Sequence, residues 1–179
     1  MAKLLYSATM SLDGFVAGAG GDMSWLKPHL GPNPPIDEHV GNVGALLVGN
    51  RTYRGDDPNK GTPEEGAYGG TWNGPQFVLT HHPPDTSAPD VTFVTDLESG
   101  VAAAKAAAGD KYVSILGADV GRQCLEAGVL DEILVCIAPV LLGDGVRLFE
   151  HPGGTNVKLE RISLTHVPHA TNIWFRVIR

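Results

Sequence analysis

The clearest chemical signal in the sequence lies where a predicted strand meets a predicted helix. The apolar run Tyr112–Leu116 ends at Gly117, and Asp119 then opens, as its N-cap, a helical segment that ends at Gly128. Backbone N–H groups at such a helix start point toward one place, and the helix dipole favours negative charge there. The turn therefore predicts a site for a phosphorylated ligand. The alternative is an ordinary strand-to-helix turn, because these glycines lack the G-x-G-x-x-G spacing of dinucleotide sites.

Three acidic residues are candidates for supplying a proton to a bound substrate: Asp13, Asp37 and Asp57. Asp13 lies in the turn 11–14, where the alternative is a side chain that bonds its own backbone. Asp37 and its neighbour Glu38 begin a predicted helix, where acids also interact favourably with the dipole. Asp57 lies in a predicted surface loop. Each acid therefore has a structural alternative.

The histidines do not form a predicted metal site. His81 and His82 point apart on an extended chain, and His166 and His169 flank a predicted turn. No carboxylate or cysteine cluster joins either pair at the spacing of metal ligands. We therefore expect no bound metal.

Strands and helices alternate along the chain and position these candidates. The alternation predicts a mostly parallel sheet covered on both faces, closed by an antiparallel hairpin. Residues 36–43, 96–109 and 119–128 are predicted helices, with Asp96 as the N-cap of the second. The predicted strands are residues 4–10, 45–48, 76–80, 91–94, 112–116 and 132–139, and the hairpin strands are 157–167 and 171–178.

Several predicted turns directly follow strands. Ligands of parallel sheets bind beyond the carboxyl ends of the strands, so these turns are expected to converge on one cleft. They are residues 11–18, 49–52, 80–82 and 117–121.

Length and composition indicate one globular domain, residues 1–179. Apolar residues make up 42% of the chain, and a net charge of −7 argues against non-specific binding of nucleic acid. The longest apolar run, 133–142, is about half a membrane span. No secretory segment is evident, and Cys124 and Cys136 are expected as buried thiols. We expect a cytoplasmic protein that does not bind membranes.

Four motifs in a fixed order resemble the dihydrofolate reductase-like superfamily. The closer resemblance is to the branch shared with the reductase domain of bacterial riboflavin biosynthesis, and it extends from about residue 3 to residue 178. The motifs are MSLDGFVAG at 10–18, LVGNRTY at 47–53, FVLT at 77–80, and residues 117–132 followed by APVLLGDGVRLF at 138–149.

The resemblance implies a three-layer α/β fold with an eight-stranded, mainly parallel sheet and a C-terminal antiparallel hairpin. It also implies NADPH bound across the strand ends, a small-molecule substrate and a homodimer formed through sheet edges. Ala8, Val16, Ala17 and Gly18 would line the nicotinamide.

The resemblance also assigns residues to the phosphates of NADPH. Arg51 is the best candidate for an ionic phosphate contact, and its alternative role is a surface cap on the helix. Family members usually have two glycines at the end of the strand where this chain has Leu116 and Gly117. The remaining candidates are Gly49, Asn50 and Thr52 after one strand, Thr80, His81 and His82 near the 2′-phosphate, and Leu116, Gly117, Ala118, Asp119, Val120 and Gly121 around the other phosphate oxygens.

The substrate is less clearly indicated than the cofactor. Residues 56–59, Asp-Asp-Pro-Asn, resemble the Asp-Asp-Pro of riboflavin-pathway reductases, whose acids lie near a ribityl phosphate. In folate-reducing relatives an acid on the helix before the second strand grips the pterin, and Asp37 and Glu38 begin that helix here. The stretch after Thr80 has no arginine for a substrate phosphate, and the chain has no zinc-deaminase signature.

The leading hypothesis is an NADPH-dependent reductase of a small heterocyclic or carbonyl substrate, such as one like 5-amino-6-(5-phosphoribosylamino)uracil. One alternative is a nucleotide-binding protein of the same fold without reductase turnover. The other is a true dihydrofolate reductase.

Overall fold

Strands and helices alternate through residues 1–55, 57–86 and 88–179, which the computed structural model describes. Two short 3-10 segments, Ala19–Gly21 and Ser24–His29, follow the second strand. The elements are β1 Leu4–Ser11, β2 Phe15–Ala17, α1 Pro34–Val40, β3 Val43–Gly49, α2 Asn50–Arg54, β4 Gln76–Leu79, β5 Val91–Val94, α3 Leu97–Ala108, β6 Tyr112–Leu116, α4 Ala118–Glu126, β7 Glu132–Ala138, β8 Val146–Arg147, β9 Lys158–Val167 and β10 Ala170–Ile178.

The main sheet has eight strands in the order β5-β4-β3-β6-β1-β7-β10-β9. Strands β1 and β3 to β7 pair in parallel, whereas β10 is antiparallel to both of its neighbours. The predicted mostly parallel sheet with a terminal antiparallel hairpin is therefore confirmed. A second sheet, formed by β2 and β8, was not predicted. These strands have only three and two residues, too few to show an alternating pattern.

One face of the sheet is almost entirely apolar and packs against α3 and α4. Alternate residues point to this face, because successive side chains of a strand lie on opposite sides. Each large aliphatic side chain buried there contributes about 1.5–3 kcal/mol of transfer free energy. The strand residues of this core include Leu4, Tyr6, Ala45, Leu47, Val113, Ile115, Ile133 and Val135.

The opposite face carries buried polar side chains between apolar ones. Glu132, at the start of β7, is 2% exposed and accepts hydrogen bonds from Lys3, Tyr112 and Trp174 over 2.8, 3.2 and 2.9 Å. Its charge is therefore paired and fully bonded, as burial of a carboxylate requires. Ser114 on β6 is completely buried on the same face.

The helix boundaries differ from the predictions mainly at α1 and α4, and α1 ends at Val40 rather than at residue 43, because Val43 begins β3. α1 begins at Pro34 rather than Ile36, because proline fits the first turn of a helix. The prediction of Asp119 as an N-cap is wrong: Gly117 takes that position, and Asp119 lies within the first turn of α4. Asp96 does cap α3, accepting from the Ser99 N–H over 2.8 Å. Gly128 follows the last turn of α4 with φ 68°, as predicted.

Candidate functional site

A cleft of about 1340 Å³ lies beyond the carboxyl ends of β1, β3, β4 and β6. The turns that were predicted to converge do meet here, although contact with a cofactor stays a prediction. Of the predicted cofactor residues, those that line the cleft are Ala8, Val16, Ala17, Gly18, Gly49, Asn50, Arg51, Thr52, Thr80, His81, His82, Leu116, Gly117, Ala118, Asp119 and Val120.

Gly121 does not line the cleft. A Cβ at this position would lie 2.7 Å from Cδ1 of Tyr6, so the absence of a side chain lets α4 pack directly on β1. Gly121 is in the second turn of α4, where its N–H donates to the Gly117 carbonyl over 3.0 Å. Its predicted phosphate contact is therefore corrected to a packing role that brings the helix start to the sheet.

The starts of α2 and α4 approach each other closely at Gly117. This residue has φ 113°, and a Cβ there would lie 2.6 Å from Oγ1 of Thr52 and 3.6 Å from the backbone nitrogen of Gly49. Only glycine satisfies both the backbone conformation and the contact. The described residues contain no cis peptide, so the Leu116–Gly117 bond is trans.

Backbone donors at the start of α4 face this part of the cleft. The N–H groups of Ala118, Asp119 and Val120 precede the first hydrogen bond of the helix, so they have no partner within it. N–H groups at a helix N-terminus that are not bonded within the helix suit an anion such as phosphate.

Asp119 and Arg51 give the cleft charges of both signs. Burial alone would raise the pKa of Asp119, but hydrogen bonds from Arg122 and Gln123 and the charges of Arg122 and Arg51 outweigh it and lower the pKa. The bonds from Arg122 and Gln123 measure 2.7 and 2.8 Å. The side chain of Asp119 is therefore occupied and ionised, and Arg51 remains as an exposed cation beside the helix start.

Asn50 supplies an unused acceptor at the entrance of α2. Its Oδ1 is buried and has no hydrogen-bond partner within residues 1–55, 57–86 and 88–179. A buried acceptor without a partner costs about 1–3 kcal/mol, so a ligand donor at this point would be favourable. The sequence analysis assigned Asn50 to the predicted cofactor loop but did not indicate that its side-chain oxygen is buried without a partner.

The β2–β8 sheet forms one rim of the cleft beside the predicted nicotinamide loop, residues 16–18. A Cβ on Gly145 would lie 2.0 Å from the carbonyl oxygen of Ala17, so the two loops are in direct backbone contact. Leu148 also donates to the Gly14 carbonyl over 2.9 Å. The loop at 16–18 is therefore fixed by residues 145–148.

The predicted catalytic acid Asp13 lies outside the cleft. Its carboxylate accepts from Ser11 Oγ at 2.6 Å and from the N–H groups of Leu142 and Gly143 at 3.1 and 2.8 Å. The hydrogen bond from Ser11, followed by these backbone bonds, lowers its pKa to about 2. Asp13 is therefore ionised at neutral pH and joins the β1–β2 turn to the loop after β7.

The other predicted catalytic acids also lie outside the cleft. Asp37 is exposed on α1, whereas His39 of the same helix is buried. Asp57 accepts from the N–H groups of Asn59 and Gly66 over 2.8 and 2.7 Å and so organises its own loop. Asp56, the other acid of the Asp-Asp-Pro motif, lies outside the described residues. The predicted acidic proton donors are thus not brought together.

The cleft floor instead carries hydroxyl groups that the sequence reasoning missed. Ser7 and Thr9 of β1 both line the cleft. Their alternation with Tyr6 and Ala8 in the strand was the available signal, because it places two polar side chains on one face. Tyr68, from the long loop before β4, reaches the same face and bonds Ser114 over 2.5 Å. Nothing local in the sequence indicates that contact.

No helix among the described residues is long and apolar enough to cross a membrane. Within the same residues, no group of three or more His, Cys, Asp or Glu side chains is arranged to hold a metal ion.

The family model of the RibD C-terminal domain matches residues 2–172, and the chain belongs to this family. An uncharacterised Bacillus subtilis protein, YwjB, is 26% identical over 148 residues, which cover 82% of this chain and 81% of that protein. The family and the fold together support a reductase of the riboflavin-pathway type.

Solved structures share the dihydrofolate reductase-like fold. A Shewanella sp. PV-4 protein with a provisional assignment to riboflavin biosynthesis aligns over 100% of both chains with a TM-score of 0.74 and 23% identity. A Thermotoga maritima deaminase/5-amino-6-(5-phosphoribosylamino)uracil reductase aligns over 99% of this chain and 57% of its own, with a TM-score of 0.68 and 16% identity. Enterococcus faecalis dihydrofolate reductase, complexed with NADP(H), aligns over 99% and 97%, with a TM-score of 0.63 and 16% identity.

Proposed function

We propose that the protein is an NADPH-dependent reductase of a small heterocyclic or carbonyl substrate. The observation that carries the proposal is the meeting of two strand-to-helix turns at Gly49 and Gly117, with free N–H donors and Arg51 beside them. This arrangement suits the phosphates of a dinucleotide. Both a family of reductase-like domains and an NADP(H)-bound structural neighbour support this choice.

In this proposal the phosphates of NADPH lie at the start of α4. The N–H groups of Ala118–Val120 contact phosphate oxygens, and the Arg51 guanidinium neutralises part of their charge. Asn50 accepts a hydrogen bond through its buried Oδ1. Thr80, His81 and His82, which follow β4 at the cleft edge, lie near the 2′-phosphate.

The nicotinamide lies beside Ala8 and the loop at residues 16–18. NADPH supplies the hydride, and the protein places the acceptor carbon against the nicotinamide. The backbone contact between Gly145 and Ala17 keeps this loop in place. A uracil-type substrate is one candidate, since a uracil reductase shares the fold.

Calorimetric titration with NADPH and NADH tests the cofactor. We expect selective binding of NADPH, weakened about 10- to 100-fold in Arg51→Ala, because a charge-assisted bond contributes about 1.5–3 kcal/mol. Arg54→Ala is the matched control: it lies on the same helix, is exposed and does not line the cleft. Equal effects of the two substitutions would remove Arg51 from the site, and no binding of either nucleotide would refute the assignment.

A nucleotide-binding protein without turnover is the second candidate. The observation that favours it is the position of Asp13, Asp37 and Asp57 outside the cleft. Binding of NADPH without its oxidation across a broad panel of carbonyl and heterocyclic compounds would support this alternative. Substrate-dependent loss of the NADPH absorbance would exclude it.

We also propose a homodimer that covers the outer side of the terminal hairpin. Leu159 and Leu164, which pair with Val177 and Ile173 on one face of the hairpin, are 44% and 56% exposed there. Such side chains favour association with an equally apolar surface. Sedimentation equilibrium tests this proposal, and a monomer at all concentrations would contradict it.

A further inference from the structure

The segment before β4 contains an asparagine that is followed by a glycine. Asn73–Gly74 is the one Asn-Gly pair in the sequence. The backbone nitrogen that follows an asparagine can attack the side-chain carbonyl carbon, and glycine hinders this attack least because it has no side chain. Asparagine is for this reason among the thermolabile residues of proteins. The pair therefore has the residue types for a covalent change that needs no enzyme.

Both reacting groups of this pair are free in the structure. The side chain of Asn73 is exposed. Within residues 1–55, 57–86 and 88–179, neither this side chain nor the N–H of Gly74 has a hydrogen-bond partner. The attacking nitrogen and the amide that would leave are thus available without the loss of another bond.

The residues on either side of the pair are held to β3. The indole N–H of Trp72 donates to the Val43 carbonyl over 3.1 Å, and the Pro75 carbonyl accepts from the Leu46 N–H over 3.0 Å. A Cβ on Gly74 would lie 2.8 Å from Cζ2 of Trp72, so the chain passes directly against the indole. The reactive pair therefore spans two points that are fixed on the same strand.

Other asparagines lack this combination of free groups. Asn33 is followed by a proline, which has no N–H to attack with. The residue after Asn59 already donates its N–H to the Asp57 carbonyl over 3.0 Å. Asn172 is buried, and its amide is hydrogen-bonded. The remaining asparagines precede residues that carry a side chain: they are Asn42, Asn50 and Asn156.

Two Asp-Gly pairs could form the same ring, but their groups are occupied. The N–H of Gly14 donates to the Ser11 carbonyl over 3.0 Å, and the Asp13 carboxylate accepts from the Ser11 hydroxyl over 2.6 Å. The N–H of Gly145 donates to the Asp144 carboxylate over 2.8 Å. A carboxylate is also attacked less readily than an amide. These two pairs therefore serve as internal references for Asn73.

We propose that Asn73–Gly74 is a site of spontaneous deamidation. The Gly74 nitrogen bonds to Cγ of Asn73 and closes a succinimide ring, while the bond from Cγ to Nδ2 breaks and ammonia leaves with the proton of Gly74. One water molecule then opens the ring at either carbonyl. Opening at Cγ gives aspartate, whereas opening at the backbone carbonyl gives isoaspartate, in which the chain continues through the former side chain.

Isoaspartate changes the path of the chain between the two fixed points. It adds one carbon–carbon bond to the backbone, about 1.5 Å. The hydrogen bonds of Trp72 and Pro75 to β3 then do not both keep their geometry. We expect the amide hydrogen of Leu46 to exchange about tenfold faster, which corresponds to the loss of one hydrogen bond. The aspartate product retains the backbone length and should leave this exchange unchanged.

The test compares the folded protein with the same chain unfolded in urea, both kept at mildly alkaline pH. Peptide mass spectrometry follows each asparagine, and methylation by a protein isoaspartate methyltransferase detects the isoaspartate product. We expect Asn73 to convert first in the folded protein, at a rate similar to that in the unfolded chain, with both Asp-Gly pairs unchanged. Asn73→Gln is the matched control, because it keeps an amide but requires a larger ring. It should remove most of the ammonia release.

The proposal is overturned if Asn73 stays intact in the folded protein while it converts in the unfolded chain, since the bonds to β3 would then prevent ring closure. Earlier conversion of another asparagine, or no conversion in either state, would also overturn it. Unchanged exchange of Leu46 in the isoaspartate form would contradict the expected effect on β3. Neither Asn73 nor Gly74 lines the cleft, so these outcomes are independent of the reductase assignment.

Discussion

Asn33 and Asn172 hold the segment before α1 against the antiparallel side of the sheet. The amide of Asn33 donates to Oδ1 of Asn172 over 3.0 Å, and the amide of Asn172 donates back over 2.8 Å. Asn172 also donates to Oγ1 of Thr165 on β9 over 3.1 Å. Because both asparagines are buried, this pair links the irregular segment that borders the cleft to β10 and β9.

Replacement of Asn172 by alanine should destabilise the protein by about 1–3 kcal/mol, since it leaves the buried amide of Asn33 without a partner. Urea unfolding measures the change. Asn42→Ala is the control, because Asn42 is exposed and its single side-chain bond, to the Glu38 carbonyl, measures 3.2 Å. Equal losses in both variants would mean that the buried pair adds no stability.

Gly117→Ala should weaken nucleotide binding at least about tenfold and destabilise the fold by about 1–3 kcal/mol. The added Cβ would lie 2.6 Å from Oγ1 of Thr52 in a backbone conformation with φ 113°, which separates the starts of α2 and α4. Calorimetry with NADPH measures the effect.

Gly128→Ala provides the comparison for this substitution. Gly128 also has positive φ, at 68°, but a Cβ there has no neighbour within 4 Å. It should therefore lower stability without affecting NADPH affinity. Loss of affinity in both variants would indicate that backbone strain, rather than the shape of the cleft, is responsible.

Because of the buried His39, we expect the protein to lose stability in mild acid. Its ring is 2% exposed, with both nitrogens unpartnered among the described residues, between Tyr112 and Trp174. Burial lowers its pKa from 6.5 to about 4, although Glu132 opposes the shift. The unfolded chain then binds the proton more readily than the folded chain, so the stabilisation present above pH 6.5 is lost as the pH falls toward 4.

The free energy of unfolding should decrease by about 2 kcal/mol between pH 7 and pH 5. Each pH unit below the pKa of His39 in the unfolded chain contributes about 1.4 kcal/mol to this decrease. Urea unfolding at the two pH values measures it. His39→Phe retains an aromatic ring and should remove most of the decrease. An unchanged pH dependence in that variant would assign the effect to other groups.

Methotrexate should not bind tightly. A protonated pteridine requires a carboxylate beside the ring, whereas Asp37 and Glu38 are exposed on α1 and Asp13 is bonded to Ser11 outside the cleft. Fluorescence titration measures the affinity. Stoichiometric binding would support dihydrofolate reduction and show that an acid reaches the cleft.

The sequence predicted the sheet because its strands and helices have distinct periodicities. The run at 112–116 and the alternating hairpin are examples, and both depend on local pattern alone. The positions of β2 and β8 depend instead on the long-range contact between Gly145 and Ala17, which leaves no local pattern. Strands and helices with a local sequence pattern could therefore be predicted, whereas β2 and β8, which have none, could not.

The sequence was sufficient to predict which loops form the candidate site, but not what the side chains in those loops do. Glycines and strand ends indicated which loops converge, but acids such as Asp13 and Asp57 serve the turns that contain them. Tyr68 contacts Ser114 across 46 positions of sequence, so its role depends on tertiary packing. Residue type alone does not distinguish an acid that faces a ligand from one that stabilises a loop.

A crystal structure of the protein with NADPH would show whether the cofactor binds in this cleft. We expect phosphate oxygens within hydrogen-bond distance of the N–H groups of Ala118–Val120, the Arg51 guanidinium beside them, and the nicotinamide next to Ala8. A cleft that stays empty at saturating NADPH, or a nucleotide bound elsewhere on the protein, would contradict it.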